Sequence, residues 1–149
     1  RNYLEQKIKE YQIEDIVERT GWLSYEKVGA ALSNCSIGII FLELTRENNI
    51  FSSPNKLFNY MRYGLPIVTV DLPEIRRIVL ESQCGIVVRE RTVNALADAL
   101  STLIENMDLR RHLGENGKKA VIDMYNWGVM EKRLLRIYDE LISSPKYIM

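Results

Sequence analysis

The residues best placed for chemistry stand at the start of a predicted helix, in the stretch Ser52-Ser53-Pro54-Asn55-Lys56. Pro54 suits the first position of a helix, because its missing N–H group would have no partner there. The free N–H groups and the dipole of a helix N-terminus favour a bound anion. Lys56 falls in the first turn, where the dipole disfavours a cation, and a bound phosphate would explain it. A solvated surface lysine is the alternative, and spacing alone leaves both open.

The residues that flank this stretch predict a loop, a short helix and a tight turn into a strand. Ser52 and Ser53 offer capping hydroxyls at the start of the helix. Gly64 ends it, since glycine adopts the left-handed conformation without strain. Pro66 then opens a short apolar run at residues 67–70, which predicts a buried strand.

Hydrophobic periodicity predicts the elements that position this stretch. The predicted strands are residues 16–20, 36–42, 67–70 and 85–88. Of these, 36–42 is the most apolar and is expected to be central and buried on both faces. Residues 43–53 form a polar loop long enough to be functional. The predicted helices are residues 1–11, 25–33, 54–63, 73–82 and 127–142, with two more that follow Thr92 and Asp108 and carry inward residues as far as Ile104 and Met124.

The last three helices follow one another without an intervening strand. Thr92 and Asp108 are predicted to cap the first two. The last carries apolar residues at helical spacing that are expected to point inward: Met130, Leu134, Ile137, Tyr138 and Leu141. The whole pattern predicts an α/β fold, a Rossmann-like parallel sheet flanked by helices that ends in a helical segment. The loops at 21–25, 43–54 and 71–73 would meet at the carboxyl edge of that sheet, where ligands bind.

Composition excludes several classes of function. The 149 residues suit one domain, and 20 basic residues balance 20 acidic ones, so nucleic acid is not predicted as a partner. No run approaches the ~20 apolar residues of a membrane span. Cys35 and Cys84 lack metal spacing and suit a reducing, cytoplasmic location. His112, the only histidine, lies in a charged helix and is expected to be solvated. No metal cluster or Gly-x-Gly-x-x-Gly fingerprint is present, so neither a metal nor a dinucleotide cofactor is predicted.

The stretch that begins at Pro54 resembles a known sequence block. Residues Pro54-Asn55-Lys56-Leu57-Phe58-Asn59-Tyr60-Met61, then Gly64-Leu65-Pro66-Ile67-Val68, are similar to "P-N-K-L-F-E-Y-M … G-x-P-V-V" of family 4 (group 1) GT-B glycosyltransferases. Similar residues also recur in order at 21–23, 71–75, 84–88, 96–99 and 125–127. The chain, residues 1–149, is therefore identified as the C-terminal, nucleotide-sugar-binding domain of such an enzyme. The N-terminal acceptor domain is expected to lie outside this sequence.

The resemblance implies transfer of a glycosyl group from a UDP-, GDP- or ADP-sugar to an acceptor sugar or lipid-linked glycan, with retention of configuration. Ser53 and Asn55 would donate to the donor phosphates, and Lys56 would supply a counter-charge. The loop Gly21-Trp22-Leu23 resembles the one that holds the base, although packing of Trp22 against the sheet edge is the alternative. Glu47 is a candidate contact to the sugar. The sequence assigns no catalytic residue, and this chain alone is expected to bind donor without turnover.

The chain departs from the family block at Asn59. The family usually has a glutamate there, which accepts hydrogen bonds from the ribose hydroxyls. An amide oxygen can still accept one bond, so weakened ribose binding is expected. The change keeps a second hypothesis open, a catalytically silent glycosyltransferase-like subunit that binds a nucleotide or a partner. A sugar-nucleotide epimerase ranks third. The expected location is cytoplasmic, with peripheral binding to the inner face of the membrane left open.

Overall fold

The part of the chain that the structure describes, residues 2–42 and 47–143 of a computed structural model, forms two compact units. The first ends at Ala31 and the second begins at Leu32. The side chains of residues 2 and 47 are outside the description. Most of the predicted elements fall in the second unit.

The first unit is helical where it is regular. Helix α1 is Asn2–Glu10, a 3₁₀ turn covers Glu14–Ile16, and α2, Tyr25–Ser33, runs into the second unit. The prediction of a strand at residues 16–20 is wrong. The amides of Ile16 and Val17 both donate to the carbonyl of Ile13, and Ile16 is 80% exposed. Local turn bonds therefore satisfy these two amides, and in the described residues no strand pairs with this segment.

The second unit contains a three-stranded parallel sheet in its described residues. The strands are β1 Gly38–Ile40, β2 Ile67–Val70 and β3 Gly85–Val88, in the order β1-β2-β3. Every residue of β2 is buried. The prediction that residues 36–42 form the central strand is wrong, because β1 is an edge of the described sheet. Ile39 and Phe41 are 42% and 45% exposed.

Six helices of the described chain accompany this sheet. They are α3 Glu47–Phe51, α4 Asn55–Arg62, α5 Pro73–Glu81, α6 Val93–Glu105, α7 Met107–Asp123 and α8 Trp127–Ser143. The predicted loop at 43–53 is thus partly helical, since α3 occupies its second half; residues 43–46 lie outside the described residues. Helices pack against the strands in two separate apolar clusters. One cluster contains residues of α4 and α5, and the other contains residues of α6. The predicted α/β sheet with flanking helices is confirmed.

Side-chain caps set where the late helices begin. Thr92 caps α6 as predicted, its hydroxyl accepting from the amide of Ala95 at 3.1 Å. The predicted cap of α7, Asp108, is wrong: the side chain of Asn106 accepts from the amide of Leu109 at 2.9 Å. Both residues can cap a helix, and the earlier one prevails because the helix already begins at Met107.

The junction between α7 and α8 depends on one side chain. Asn126 Nδ2 donates to the carbonyls of Val121 and Ile122, and its Oδ1 accepts from the amide of Val129 at 3.1 Å. The inward face predicted for α8 is wrong, because within the described residues α8 has no buried side chain. Four of its apolar residues are about half exposed, between 44% and 55%: Leu134, Ile137, Tyr138 and Leu141.

Close backbone contacts bring α7 against the end of α4. Gly64 has the left-handed φ of +69° that was predicted for the residue that ends α4. A Cβ added at Gly114 of α7 would clash with the Gly64 carbonyl, and one added at Gly85 of β3 would clash with the carbonyl of Ile67. These two positions therefore admit only glycine at the present spacing.

Candidate functional site

The N-terminus of α4 lies at the carboxyl edge of the sheet. In a parallel sheet the helix that precedes a strand runs antiparallel to it, so α4, which leads into β2, begins where the strands end. Leu57 and Met61, both fully buried, fix the face that α4 turns to the core. This is the edge at which open α/β sheets bind ligands.

Pro54 is the cap residue of α4 rather than its first helical residue, which corrects the sequence-based position by one. Its φ and ψ are −67° and 141°, and α4 begins at Asn55. The proline ring cannot accept a hydrogen bond, so Pro54 makes no side-chain cap. The predicted capping role of Ser52 and Ser53 is therefore not filled at the cap position. The first turn lacks the usual capping oxygen and can accept an anion at that place.

Asn55 and Lys56, two predicted phosphate contacts, are the first two residues of this turn. Asn55 is exposed and Lys56 is half-buried. The amides of Asn55 and Lys56 precede the first hydrogen bond of the helix, in which the amide of Leu57 donates to the carbonyl of Pro54 at 2.9 Å. The described structure thus puts two main-chain donors and a lysine residue in the first turn of α4.

The third predicted phosphate contact, Ser53, has a neighbour that the sequence did not indicate. It lies near the carboxylate of Glu74 on α5. Arg77 holds the same carboxylate through two bonds, at 2.7 and 3.0 Å. The hydrogen bond from Arg77 is the main cause that lowers the pKa of Glu74, with a smaller contribution from Ser53. Ser53 thus lies beside the ion pair of Glu74 and Arg77, and its contact to phosphate stays a prediction.

Asn59, the predicted ribose contact, lies one helical turn beyond Asn55 on α4. It lines a hollow of about 320 Å³. The other lining residues come from α4, α7 and the start of α8: Phe58, Arg62, Val121, Tyr125, Asn126 and Trp127. The rings of Phe58 and Tyr125 are 5.4 Å apart. The aromatic character of this hollow was missed from the sequence, although the Tyr125-Asn126-Trp127 break between two helices could have signalled it.

The predicted base-binding residues belong to the first unit. Gly21 has a left-handed φ of +66°, as a tight turn requires. Leu23 is half-buried, and Trp22 is 89% exposed. Packing of the indole against a sheet edge, the alternative raised for Trp22, stays open. The base contact stays a prediction, as does the sugar contact of Glu47, whose side chain is outside the description.

Arg91 joins the carboxyl ends of two strands that are not neighbours. It follows β3, and its Nη2 donates to the carbonyl of Leu42, beyond the end of β1, at 2.8 Å. Its Cζ also lies 6.0 Å from the ring centroid of Phe41. Because β2 separates these strands and each spacing is about 4.8 Å, the half-buried Arg91 spans the end of the central strand. The sequence carried no signal for this contact.

The described chain offers neither a group of metal ligands nor a membrane-spanning helix. Within residues 2–42 and 47–143, no three His, Cys, Asp or Glu side chains lie close enough to share a metal ion. Over the same ranges, no helix has both the length and the apolar character needed to cross a bilayer. The prediction that no metal or cofactor takes part in the reaction stays a prediction.

Comparison with known protein families decides the relationship of the chain. The profile of the family described as "Glycosyl transferases group 1" matches residues 1–120. The chain belongs to the group 1 glycosyltransferases. The resemblance first carried by the block at Pro54 is thereby confirmed.

Two mannosyltransferases are among the relatives of this glycosyltransferase chain. It is 31% identical over 107 residues to a phosphatidyl-myo-inositol mannosyltransferase of Mycobacterium leprae, covering 66% of the chain and 28% of that protein. It is 27% identical over 142 residues to the MMP alpha-(1->4)-mannosyltransferase of Mycolicibacterium hassiacum, covering 93% of the chain and 33% of that protein. The chain thus spans about a third of the length of these relatives.

Solved structures confirm the fold of the glycosyltransferase chain. Sucrose-phosphate synthase from Thermosynechococcus elongatus superposes with a TM-score of 0.76 at 20% identity, over 95% of this chain and 34% of that one. WaaG, a glycosyltransferase involved in lipopolysaccharide biosynthesis, superposes with a TM-score of 0.68 at 16% identity, over 89% and 34%. The Rossmann-like sheet is that of a GT-B C-terminal domain.

Proposed function

We propose that this chain binds the nucleotide-sugar donor of a glycosyl transfer reaction. The α4 N-terminus takes the diphosphate through the amides of Asn55 and Lys56, the Lys56 ammonium and the main chain of Ser53. Asn59 accepts from the ribose. Gly21-Trp22-Leu23 receives the base, and Glu47 contacts the sugar.

The α4 N-terminus is the observation that carries this proposal. It lies at the ligand-binding edge of the sheet, its cap residue is a proline without a capping oxygen, and a half-buried lysine stands in its first turn. A cation there is unfavourable next to the positive end of the helix dipole. A bound diphosphate reverses that balance, since its negative charge is attracted by both groups.

The same groups would act in the chemical step. When the bond between sugar and diphosphate breaks, negative charge develops on the departing diphosphate. Pre-oriented N–H groups and a lysine stabilise that charge without reorganising, which is commonly the largest contribution to catalysis. Retention of configuration is part of the proposal, and no residue of this chain is assigned as nucleophile, acid or base.

The acceptor belongs to the proposal for the whole protein. Because the chain spans about a third of its relatives, a separate N-terminal domain would receive an acceptor sugar or lipid-linked glycan, and transfer would need both parts. The names of the two relatives favour a mannosyl donor among the UDP-, GDP- and ADP-sugars. We place the reaction in the cytoplasm, at the inner face of the membrane if the acceptor is lipid-linked.

A catalytically silent nucleotide-binding subunit is the second candidate. One observation favours it: Asn59 replaces the usual acid. A silent subunit would bind nucleotide and leave the donor intact in the presence of any acceptor. Turnover by the intact protein would exclude this candidate.

Calorimetric titration of the intact protein with UDP, GDP and ADP tests the donor site. We expect saturable binding of one diphosphate. Lys56→Ala should weaken that binding about tenfold or more, because a charge-assisted contact to phosphate is lost. Binding of the corresponding nucleoside should change little.

Lys132→Ala is the matched control, since Lys132 is an exposed lysine on α8. It should leave every affinity unchanged. An equal loss of diphosphate and nucleoside binding in Lys56→Ala, or no loss at all, would refute the assignment of the phosphate site. If the wild-type protein binds none of the three, the proposed function is wrong.

A further inference from the structure

We infer that the sheet continues beyond β1 in the intact protein, where a further parallel strand, from sequence that precedes residue 1, pairs with the free edge of β1. In the described residues β1 pairs with β2 alone, and β2 pairs on its other side with β3. Three features of β1 support a missing neighbour: its backbone groups, its side chains and the direction in which the sheet is wound.

The first feature is a pair of backbone groups that point away from β2. The amide of Gly38 donates to the carbonyl of Pro66, on the β2 side, at 2.9 Å. Backbone groups of successive residues alternate between the two sides of a strand, so the amide and the carbonyl of Ile39 face the opposite side. Among the described strands none lies there to receive them. Such groups are a template for pairing with another strand.

The second feature is the exposure of apolar side chains at this edge. Ile39 and Phe41 are 42% and 45% exposed. Ile39 lies in register with Val68 of β2, so both side chains share one face of the sheet. On that face α6 packs against Val68, which is fully buried, whereas Ile39 keeps much of its surface in solvent. The strand therefore lacks an apolar cover that its neighbour has.

The opposite edge of the described sheet, at β3, differs in its side chains. Ile86 and Val87 are half-buried and Val88 is buried. No residue of β3 belongs to the large apolar residues that are exposed in the described chain. An edge whose apolar side chains are already covered is a suitable boundary of a sheet. Of the two edges, the one at β1 is thus the edge that calls for a partner.

The third feature is the direction of winding. The three strands follow one another in the same order in the chain and in the sheet, and α4 and α5, which lead into β2 and β3, share one apolar cluster. Right-handed crossovers that advance in one direction place their helices on the same face. A doubly wound sheet adds its other strands beyond its starting strand, with their helices on the opposite face. Such a half would supply a strand beside Ile39 and a helix over its exposed side chain.

The partner strand belongs to the same polypeptide. The chain covers 28% and 33% of two relatives, so most of a protein of that length lies outside residues 1–149. The described residues that precede β1 contain helices and a 3₁₀ turn but no strand. Parallel strands are joined by long crossover connections, which a preceding segment can provide. Residues 1–149 are then part of one folding domain rather than the whole of it.

Hydrogen exchange resolved to single amides of the intact protein tests the pairing. The amide of Ile40 faces β2, and the amide of Ile39 should exchange within about tenfold of it, because both would be held in a ladder. Val87 is the matched control. Amides of β2 and of the residue after it donate to the carbonyls of Cys84 and Val88, so Val87 faces away from β2 at the other edge. Its amide should exchange at least about 100-fold faster than that of Ile40.

The same measurement on residues 1–149 locates the partner. Without the preceding sequence, the amide of Ile39 should exchange at least about 100-fold faster than that of Ile40. Protection of Ile39 that appears only at high protein concentration would assign the edge to a second copy of the chain. Protection at every concentration would assign it to a segment within residues 1–149. Either result would overturn the inference.

Ile39→Lys checks the same edge by mutation. In residues 1–149 the ammonium group can reach solvent from a partly exposed position, whereas beside a further strand and helix it would be buried without a partner. The control is Ile104→Lys, at a residue of α6 that is 63% exposed. In the intact protein the midpoint of thermal unfolding should fall about 5 °C or more further in Ile39→Lys than in the control. Equal shifts would contradict the inference.

The intact protein gives the deciding result. Slow exchange of Ile39 and Ile40, with fast exchange of Val87, supports the inference even if residues 1–149 do not fold alone. Fast exchange of Ile39 beside slow exchange of Ile40 would leave β1 at the edge of the sheet and overturn the inference. Neither result depends on a bound nucleotide, so the proposed function is tested separately.

Discussion

At the scale of single residues, Asn59 is the position where this glycosyltransferase departs from the usual family block. A carboxylate accepts stronger hydrogen bonds than a neutral amide, by roughly 1 kcal/mol. The hollow that Asn59 lines also holds the Arg62 side chain, which could accompany an added negative charge there. The residue can therefore be changed toward the family pattern without isolating a charge.

Asn59→Glu should strengthen nucleoside diphosphate binding about fivefold, provided that the ribose diol lies against this residue. Calorimetry with the diphosphate that the wild type binds would measure the change. The matching 2′-deoxynucleoside diphosphate is the control, because it lacks one hydroxyl of the diol and should gain less. An equal gain for both ligands would show that the added charge does not act on the ribose.

Two contacts of single residues could not be predicted from the sequence. Ser53 lies near Glu74 of α5, and Arg91 donates to the carbonyl of Leu42 across the end of a strand. Neither pair has a spacing that a local pattern could detect, since each depends on how the strands are ordered. By contrast, the cap at Thr92 and the glycine at 64 were predictable, because both act within a few residues of their own position.

At the scale of elements, the packing of α7 against α4 fixes the position of the C-terminal end of α4, the helix whose N-terminus is the proposed phosphate site. Their contact is close because Gly114 lies against the carbonyl of Gly64, the residue that ends the α4 turn. Gly64 also precedes Leu65 and Pro66, which lead into the central strand β2. The position of α4 relative to the sheet is therefore coupled to a glycine on another helix.

Gly114→Ala should destabilise the protein by about 1–3 kcal/mol, because the added methyl group must displace main-chain atoms rather than a flexible side chain. Alanine is otherwise the better helix former, so the sign of the change is informative. Chemical denaturation would measure it. Glu115→Ala, at the exposed neighbouring position, should stay within about 0.5 kcal/mol of the wild type. A neutral or stabilising Gly114→Ala would contradict the close contact.

Elements with a strong local sequence pattern were predicted well. Elements whose formation depends on pairing or packing with a distant segment were not. Helix α5 and strands β2 and β3 lie where periodicity put them. The predicted strand at 16–20 had suitable residues but no partner in the described chain. The predicted cap Asp108 failed because Asn106, two residues earlier, satisfies the same need.

At the scale of the whole molecule, burial is unevenly distributed along the second unit. Strand β2 is buried at every residue, whereas α8 has no buried side chain within the described residues. Helices are stabilised mostly by the packing of an apolar face rather than by intrinsic propensity. The apolar stripe of α8 was predicted to be inward because periodicity reports a face, but not what covers it.

In the chain expressed as residues 1–149, amide hydrogen exchange should therefore be faster in α8 than in the helices that bury an apolar face. Amides of α8 beyond residue 131 should exchange fastest among the long helices, because opening them exposes little new apolar surface. Helix α7 is the matched control, since it is also 17 residues long but buries Gly114, Gly117 and Ala120. Mass spectrometry of peptides from both helices would compare them. Equal protection of α7 and α8 would contradict this distribution of stability.

The close approach at Gly85 and Gly114 bears on how the sequence can diverge. In a survey of tolerated substitutions, both glycine positions would reject substitution as strongly as Lys56. The glycines, however, are constrained by close packing rather than by ligand binding. The two kinds of constraint differ in what fails: changes at the glycines would lower the amount of folded protein, whereas on the proposed function changes at Lys56 would lower donor affinity per folded molecule. Ranking positions by intolerance alone would mark the scaffold of this glycosyltransferase as its active site.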